Sequence, residues 1–593
     1  MRVRPTTCFF SLLVLVGCGA ANPPPAKPVS ADPHTTSVAT TPVVFPPAWP
    51  YPAGKGGAEG AHGMVSSDAT LASKVAQEVL ASGGNAVDAS VALAFALAVV
   101  HPAAGNVGGG GFMVARMAGK PYALDFRETA PARATRDVYI GADGKATAGS
   151  KDGHRASGVP GSVAGLHEAH QKLGSGKKSW KELVAPAIKL AKEGFVVDEN
   201  FSKVIDDLKG RLAKNPTSAA LFLPNGAPPV IGTTWKDPEL AAVLERIAAE
   251  GPKGFYEGPT ADLLDAEMKA NDGLLTKEDL KAYRAKWRTP VEFDYRGHHV
   301  ISMPPPSSGG VSLAMMAHIL EKIDLPSMAW HSPTELHFVF EAMRRSFAAR
   351  NARLGDPDFV KNPLDELLAP AWADKARSTI LPDKATPSSE IPSAEASGTG
   401  PHTTHFSVVD SEGNAVALTT TINWWFGSGV TVKGAGFVMN NEMDDFASKP
   451  GTENGFGLVQ GEPNAVAPGK RMLSSMSPTI VVDQNGKVEL VLGAAGGPRI
   501  ITAVFQILSN VVDHRLDVVS AVNAPRFHHQ HLPDVVLHEK DGITDLQKAE
   551  LERMGYKLEE RGHLADAPTI GRGPSGYVGV PEPRRAGSHA AGW

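Results

Sequence analysis

The placement of cysteine restricts this chain more than any other feature of its sequence. Cys8 and Cys18 are the only cysteines among 593 residues, so the last 575 residues (593 − 18) contain none. That part of the chain can form no disulfide scaffold, thiolate metal site or cysteine nucleophile. Because 42% of the residues are hydrophobic and 20% are charged, a globular protein with a large buried core is expected instead.

The charge balance argues against one class of partner. The chain has 58 Lys and Arg against 63 Asp and Glu, which gives a net charge of −5. Proteins that bind nucleic acid need a basic excess to neutralise phosphates. We therefore expect no nucleic-acid partner.

The N-terminus has the layout of an export signal. Arg2 and Arg4 precede an apolar run at residues 8–16, which is too short to span a bilayer. Residues 15–18 (LVGC) resemble a bacterial lipobox, so we expect a lipoprotein signal peptide at residues 1–17 and lipid attachment at Cys18. The alternative is an ordinary signal peptide whose cysteines are discarded. An exported protein of the periplasm or cell surface, touching a membrane only through its lipid, is expected. Gly19 in place of aspartate favours the outer membrane.

Two further segments mark domain boundaries. Residues 18–56 are rich in proline and predict an extended linker between the anchor and the folded body. Residues 382–401, rich in Pro, Ser, Ala, Gly and Thr, predict an exposed, cleavable linker. The body then divides into a helix-rich part, residues 57–402, and a part with paired strands, residues 403–593.

The body alternates helical and strand patterns. Helices are predicted over residues 71–82 and over the apolar residues 86–100, which Asn85 caps. Two hairpins are predicted, one pairing residues 405–409 with 415–422 and one pairing 479–482 with 488–492, followed by a helix near 500–512. This mixture predicts an α+β fold.

Two motifs that could suggest cofactors do not support them. The run Gly108–Gly111 lacks the lysine and hydroxyl residue of a phosphate-binding loop, so a tight turn is expected there. His528, His529 and His531 lack the spacing of a helical zinc site, and packing with hydrogen bonding is expected. We predict neither a cofactor nor a metal.

Thr403 stands between the second linker and a predicted strand. A threonine hydroxyl is a weak nucleophile, but as the first residue of a chain it can use its own α-amino group as the base. That arrangement requires a backbone cut between His402 and Thr403.

At this point the chain resembles the γ-glutamyltranspeptidase family, the glutathione hydrolases among the N-terminal nucleophile hydrolases. The resemblance rests on motifs in the family's order: 84–89 (GNAVDA), 108–112 (GGGGF), 124–128 (LDFRE), 403–405 (TTH), 440–446 (NNEMDDF), 473–479 (LSSMSPT), 496–497 (GG) and 524–530 (APRFHHQ). It implies a four-layer αββα fold and a precursor that cleaves itself at Thr403 into two subunits, which remain together as a heterodimer.

The resemblance also implies site residues. Thr403 is the expected nucleophile, Thr421 orients it, and the amides of Gly496 and Gly497 stabilise the oxyanion. For the glutamyl group, Arg127, Ser474 and Ser475 are expected to bind the α-carboxylate, and Asn423, Glu442 and Asp445 the ammonium. Asp444 has no expected substrate contact, and a solvated turn or calcium loop is the alternative for these acids. Trp424 and Trp425 are expected to wall the pocket.

One departure from the family concerns the lid loop, residues 448–460. Many bacterial relatives carry a tyrosine where this chain has Phe456, which has no hydroxyl with which to close the lid. Glu442 replaces the glutamine of some relatives, and the family tolerates both.

The implied activity is γ-glutamyl transfer from glutathione or its conjugates to water or to amino acid or dipeptide acceptors. Two alternatives stay open: a glutaryl-type cephalosporin acylase with the same fold, and an inactive surface lipoprotein.

Overall fold

The computed structural model describes residues 43–391 and 403–593. The predicted signal peptide, Cys18, residues 18–42 of the predicted linker, and His402 lie outside these ranges. Within them, no helix combines the length and the apolar character that crossing a bilayer requires.

The strands of the described ranges are short and mostly buried. In chain order they are β1 (Ala58–Gly60), β2 (Met64–Ser67), β3 (Gly110–Met117), β4 (Lys120–Phe126), β5 (Phe195–Val196), β6 (Thr234–Trp235), β7 (Lys286–Arg288), β8 (Val291–Tyr295), β9 (His298–Ser302), β10 (Thr404–Val409), β11 (Ala415–Thr421), β12 (Thr479–Val482), β13 (Val488–Leu492), β14 (Phe527–His528), β15 (Val536–Glu539), β16 (Leu558–Arg561), β17 (Thr569–Gly573), β18 (Gly576–Val580) and β19 (His589–Gly592).

The helices are concentrated before residue 380. They are α1 (Thr70–Ala81), α2 (Ala86–Val100), α3 (Ser162–Leu173), α4 (Trp180–Glu193), α5 (Glu199–Asp207), α6 (Lys209–Leu212), α7 (Pro216–Phe222), α8 (Pro238–Glu250), α9 (Lys253–Tyr256), α10 (Gly258–Ala270), α11 (Lys277–Ala282), α12 (Gly309–Leu320), α13 (Pro333–Arg353), α14 (Leu364–Leu367), α15 (Pro370–Ser378), α16 (Arg499–Val512), α17 (Val518–Asn523) and α18 (Asp545–Arg553).

Among the described residues, two seven-stranded sheets carry the core. One has the order β19-β2-β10-β11-β3-β4-β7 and the other β1-β18-β17-β13-β12-β9-β8. Strands β10 and β11 of the first sheet face β12, β13 and β17 of the second. Helices α1 and α2 cover the outer face of the first sheet, and α12 and α17 cover the second. The predicted α+β fold with four αββα layers is confirmed.

Local signals located several elements correctly. The Asn85 side chain accepts hydrogen bonds from the amides of Val87 and Asp88 at 3.0 Å, which caps α2 as predicted. Both predicted hairpins form, as β10–β11 and β12–β13, and the helix predicted after the second hairpin is α16.

Two predictions hold only in part, and tertiary packing explains both departures. Gly110 and Gly111 belong to strand β3 and not to a turn; a Cβ on Gly111 would lie 2.4 Å from the Thr419 carbonyl oxygen in β11. Most residues from 382 to 391 are exposed, as predicted for the linker, but part of this segment is bound to the body. Ser388 is buried, and its amide donates to Asp534 at 2.8 Å.

Candidate active site

Thr403 lies at the head of the central strand β10, in the middle of the first sheet. The next residue, Thr404, donates its hydroxyl proton to the buried carboxylate of Asp68 at 2.8 Å. Thr403 itself is 4% exposed and reaches the wall of a pocket. The sheet therefore holds this hydroxyl at a fixed place with access to a small cavity.

Strand pairing brings Thr421 to Thr403. Thr404 pairs with Thr420 in the antiparallel register of β10 and β11, so residue 403 comes opposite residue 421. The two hydroxyl oxygens are 3.5 Å apart. The Asn423 amide donates to the Thr421 hydroxyl at 2.8 Å, so the Thr421 proton can be donated towards Thr403.

Gly496 and Gly497 lie just before α16, at its N-terminal end. Their φ angles are +149° and +60°, which favour glycine, and a Cβ on Gly496 would lie 2.9 Å from the Leu564 carbonyl oxygen. Within residues 43–391 and 403–593, neither amide donates a hydrogen bond to a protein acceptor. Gly497 lines the pocket and Gly496 precedes it. The helix end thus offers amide donors beside Thr403.

The pocket has about 320 Å³ of space between its lining atoms, part of it open to solvent. It brings together all the predicted catalytic and substrate-binding residues of the described chain except Gly496. Its lining consists of Arg127, Arg350, Thr403, Thr421, Asn423, Glu442, Asp445, Phe456, Leu458, Leu473, Ser474, Ser475, Met476, Gly497, Pro498 and Ile500.

Arg127 joins the two acids of the NNEMDDF motif. It follows the end of β4 and is buried, while Glu442 and Asp445 lie on one 3₁₀ turn. One terminal nitrogen of the guanidinium bonds to Glu442 and the other to Asp445. Burial lowers the pKa of Arg127, but Glu442, Asp445 and Glu128 outweigh burial and raise it above its usual value. Arg127 therefore stays positively charged, and basic and acidic side chains line the same wall of the pocket.

The remaining polar residues complete that wall. The Asn423 side-chain amide nitrogen donates to the Asn441 carbonyl at 2.9 Å, which leaves its oxygen as the acceptor available to the pocket. The Ser474 hydroxyl accepts from the Met476 amide at 3.1 Å. A zwitterion therefore finds acceptors and donors within one small cavity.

Residues 72–592 match the model of the family described as Gamma-glutamyltranspeptidase. The chain belongs to the gamma-glutamyltranspeptidase family. It is 45% identical over 546 residues to the glutathione hydrolase proenzyme of Pseudomonas sp. (strain A14), covering 90% of this chain and 94% of that one. The Escherichia coli (strain K12) glutathione hydrolase proenzyme is 46% identical over 539 residues, with 90% and 92% coverage. The solved structure of cephalosporin acylase from Bacillus halodurans is also similar, with a TM-score of 0.79 and 27% sequence identity. The match covers 92% of this chain and 99% of the acylase chain.

In this gamma-glutamyltranspeptidase family member, packing holds the lid loop over the pocket without a tyrosine. Phe456 is 4% exposed and meets the Trp424 ring edge-on at 6.4 Å. The Gly455 amide donates to Asp444 at 2.8 Å, and the Gln530 side chain donates to the Gly457 carbonyl at 3.2 Å. The missing hydroxyl therefore does not leave the loop open.

Two further predictions concern the tryptophans and the histidines near the pocket. Trp424 and Trp425 are absent from the pocket lining. The Trp424 ring packs edge-on against Phe456, and the Trp425 ring packs against the Arg585 guanidinium. His528 bonds to Thr502 at 2.9 Å, one of the hydrogen bonds in the buried histidine segment. Arg350 is a lining residue that sequence reasoning missed, because it belongs to none of the family's motifs.

Proposed function

We propose that this protein is a glutathione hydrolase and γ-glutamyltransferase that first cleaves its own precursor. The family membership and two named glutathione hydrolase proenzymes at 45% and 46% identity support the activity. The observation that carries the proposal is the pocket in which Thr403 shares a wall with Arg127, Glu442 and Asp445.

Maturation uses the same hydroxyl as catalysis. Thr403 Oγ attacks the His402 carbonyl carbon, the peptide C–N bond breaks, and an ester forms while the nitrogen becomes the Thr403 α-amine. Water then hydrolyses the ester, so His402 ends the large subunit and Thr403 begins the small one, residues 403–593. The α-amine, with an ordinary pKa near 7.7–8.0, becomes the base for the next reaction.

The γ-glutamyl group is transferred through a second ester. The α-amine takes the Thr403 hydroxyl proton as Oγ attacks the γ-carbonyl of glutathione, and Gly496 and Gly497 donate to the oxyanion. The γ-amide bond then breaks, and cysteinylglycine leaves with a proton on its nitrogen. Water or the amine of an amino acid or dipeptide attacks the ester and restores the Thr403 hydroxyl.

Substitution of Thr403 tests this proposal. Purified full-length wild type should migrate as two chains and release the chromophore from a γ-glutamyl anilide. Thr403→Ala should remain one chain and release none, because it lacks the hydroxyl for both acylations. Thr403→Ser is the matched control and should retain cleavage and measurable turnover. An uncleaved wild type without anilide release, after long incubation, would favour an inactive surface lipoprotein.

The similar cephalosporin acylase makes a glutaryl-specific acylase the second candidate. A glutaryl group lacks the ammonium whose protons Asn423, Glu442 and Asp445 would accept. One Glu442 oxygen bonds to Arg127, but the other is buried without a hydrogen-bond partner among the described residues, and a glutaryl group would leave it so at a cost in binding. We expect kcat/KM for a γ-glutamyl anilide to exceed that for the matching glutaryl anilide at least about 100-fold. Equal rates, or a glutaryl preference, would support the acylase.

The lipid anchor is a separate part of the proposal. Lipidation at Cys18 would retain the exported enzyme on a membrane, because several acyl chains bind a bilayer firmly. Radiolabelled palmitate should enter the wild type but not Cys18→Ala, and the variant should move to the soluble fraction. A Cys18→Ala protein that stays membrane-bound would contradict the anchor without affecting the proposed enzyme activity.

A further inference from the structure

Arg350 is a buried cation in the candidate active site. It lies near the end of α13, is 0% exposed, and lines the same pocket as Thr403. Burying a guanidinium is costly unless other groups compensate its charge. The contacts of this side chain therefore determine how its charge is compensated.

Its hydrogen-bond partners among residues 43–391 and 403–593 are all neutral. Nε donates to the Ser308 hydroxyl at 3.0 Å, Nη1 to the side-chain oxygens of Asn351 and Gln460 at 3.0 Å, and Nη2 to the Ser475 hydroxyl at 3.2 Å. Among the residues that the structure describes, no carboxylate oxygen lies within 4.0 Å of its nitrogens. Burial lowers the pKa of Arg350 to about 10, so it is still charged at neutral pH.

Arg127 is in the opposite situation. Glu128, Glu442 and Asp445 all lie within 4 Å of its guanidinium. A carboxylate that approaches Arg127 therefore also approaches three acidic side chains. Of the two arginines that line the pocket, Arg127 has carboxylates in contact with its guanidinium, whereas Arg350 has none among the described residues.

The hydrogen bond from Arg350 also determines the direction in which the Ser475 hydroxyl can donate its proton. A serine hydroxyl has one proton, and an oxygen that accepts from a cation turns that proton elsewhere. The Ser474 hydroxyl accepts from the Met476 amide, so its proton is likewise available. Two neighbouring hydroxyls that line the pocket can therefore both donate, which matches the two oxygens of one carboxylate.

We propose that Arg350 is a positioning residue for substrate specificity: it holds the Ser475 hydroxyl as a donor and supplies the counter-charge for the α-carboxylate of the γ-glutamyl group. This inference rests on the proposed function. It predicts a requirement for a negatively charged α-substituent, because a neutral one would leave the buried guanidinium with only the more distant charge of Asp445 to compensate it.

A competing explanation is purely structural. Gln460, which accepts from Arg350, donates to the Asp445 carbonyl at 2.9 Å, so loss of Arg350 could simply loosen this wall. A structural defect would impair all substrates alike. The experiment therefore compares substrates that differ only at the α-carboxylate.

The test uses full-length Arg350→Met and Arg350→Lys, with Arg353→Met as the matched control. Arg353 lies one turn further along the same helix, where it is partly exposed and pairs with Glu366. The substrates are a γ-glutamyl anilide and the same anilide with an α-carboxamide. For Arg350→Met we expect KM for the carboxylate substrate to rise about 10- to 100-fold with kcat changed less than about threefold. The preference for carboxylate over carboxamide should fall by a similar factor.

The other variants make the result decisive. Arg350→Lys should recover part of the preference because it keeps the charge, and Arg353→Met should stay within about twofold of wild type. Ser475→Ala should weaken the preference, and adding it to Arg350→Met should cost less than the two separate losses combined. If Arg350→Met fails to mature into two chains, Arg350→Lys and Ser475→Ala still carry the test.

An unchanged carboxylate preference in Arg350→Met or in Ser475→Ala would overturn the inference, even if kcat fell. A wild type that releases no anilide would instead reject the proposed function.

Discussion

At the scale of single residues, the directions of hydroxyl protons matter as much as the positions of the oxygens. Thr421 receives a hydrogen bond from the Asn423 amide, and Ser474 receives one from the Met476 amide. Each hydroxyl is thereby left to donate into the pocket. This orientation cannot be read from the sequence, because it depends on which amide lies behind each oxygen.

Thr421→Val therefore removes a donor while keeping the side-chain shape. We expect precursor cleavage and anilide release to slow by about 100-fold, while Thr421→Ser keeps most of both. Cleavage can be followed on denaturing gels and turnover with the γ-glutamyl anilide. Wild-type rates in Thr421→Val would show that Thr403 does not need this donor.

The predicted site residues differ in how they could be found. Thr403 follows from its place after a linker and before a strand, which is a local signal. Arg127 lies 315 residues before Glu442, which shares one turn with Asp445, and only the family motifs indicated a shared site. Arg350 has neither signal. Its helix α13 buries Arg344, Arg345 and Arg350 together, so the side chain facing the pocket becomes apparent only in three dimensions.

At the scale of elements, the lid loop depends on close packing around Gly455. A Cβ at this position would lie 2.2 Å from the Trp424 ring and 2.4 Å from the Asp444 carboxylate. Gly455→Ala must therefore displace the loop, and overpacking typically costs about 1–3 kcal/mol. We expect KM for the γ-glutamyl anilide to rise about tenfold, with faster proteolysis at Lys449. Gly461→Ala is the control, because its Cβ would approach no atom closer than 3.3 Å.

Protonation of Asp444, which contacts the same loop, makes the stability of the protein depend on pH. Asp444 accepts hydrogen bonds from Ser150 and from the Gly455 amide, and burial raises its pKa from 3.8 to about 6. Between about pH 4 and pH 6 the folded protein binds a proton that the unfolded chain has lost, so this group's contribution to stability falls as pH rises. As pH rises from about 4 to about 6, the free energy of unfolding of wild type should fall relative to that of Asp444→Asn, by no more than about 3 kcal/mol. A difference in Tm between the two proteins that does not change with pH would contradict this.

Elements with local signals were predicted, and elements fixed by distant contacts were not. The cap of α2 and the two hairpins lie in the residues that form them. Gly110 and Gly111 look like a turn in the sequence, yet they enter a strand because β11 and β4 pass close on either side. The segment before Ile391 looks exposed, yet Ser388 bonds to Asp534 from the other half of the chain.

At the scale of the whole molecule, both sheets mix strands from the two sides of residue 403. In the first sheet β10 and β11 lie between β2 and β3, and in the second β12 pairs with β9. After cleavage the two chains should therefore stay together. We expect the cleaved protein to elute as one species in size-exclusion chromatography at moderate salt, and to separate only in denaturant. Two peaks under native conditions would contradict this arrangement.

The position of Thr404 beside Asp68 implies an order of events during biosynthesis. Asp68 belongs to the part of the chain that is synthesised first, whereas the hydroxyl that bonds to it arrives more than three hundred residues later. The bond that fixes the start of β10 can form only once the late strands have inserted between the early ones. We therefore expect a chain whose translation stops before this hairpin is complete to remain uncleaved without a separate inhibitor.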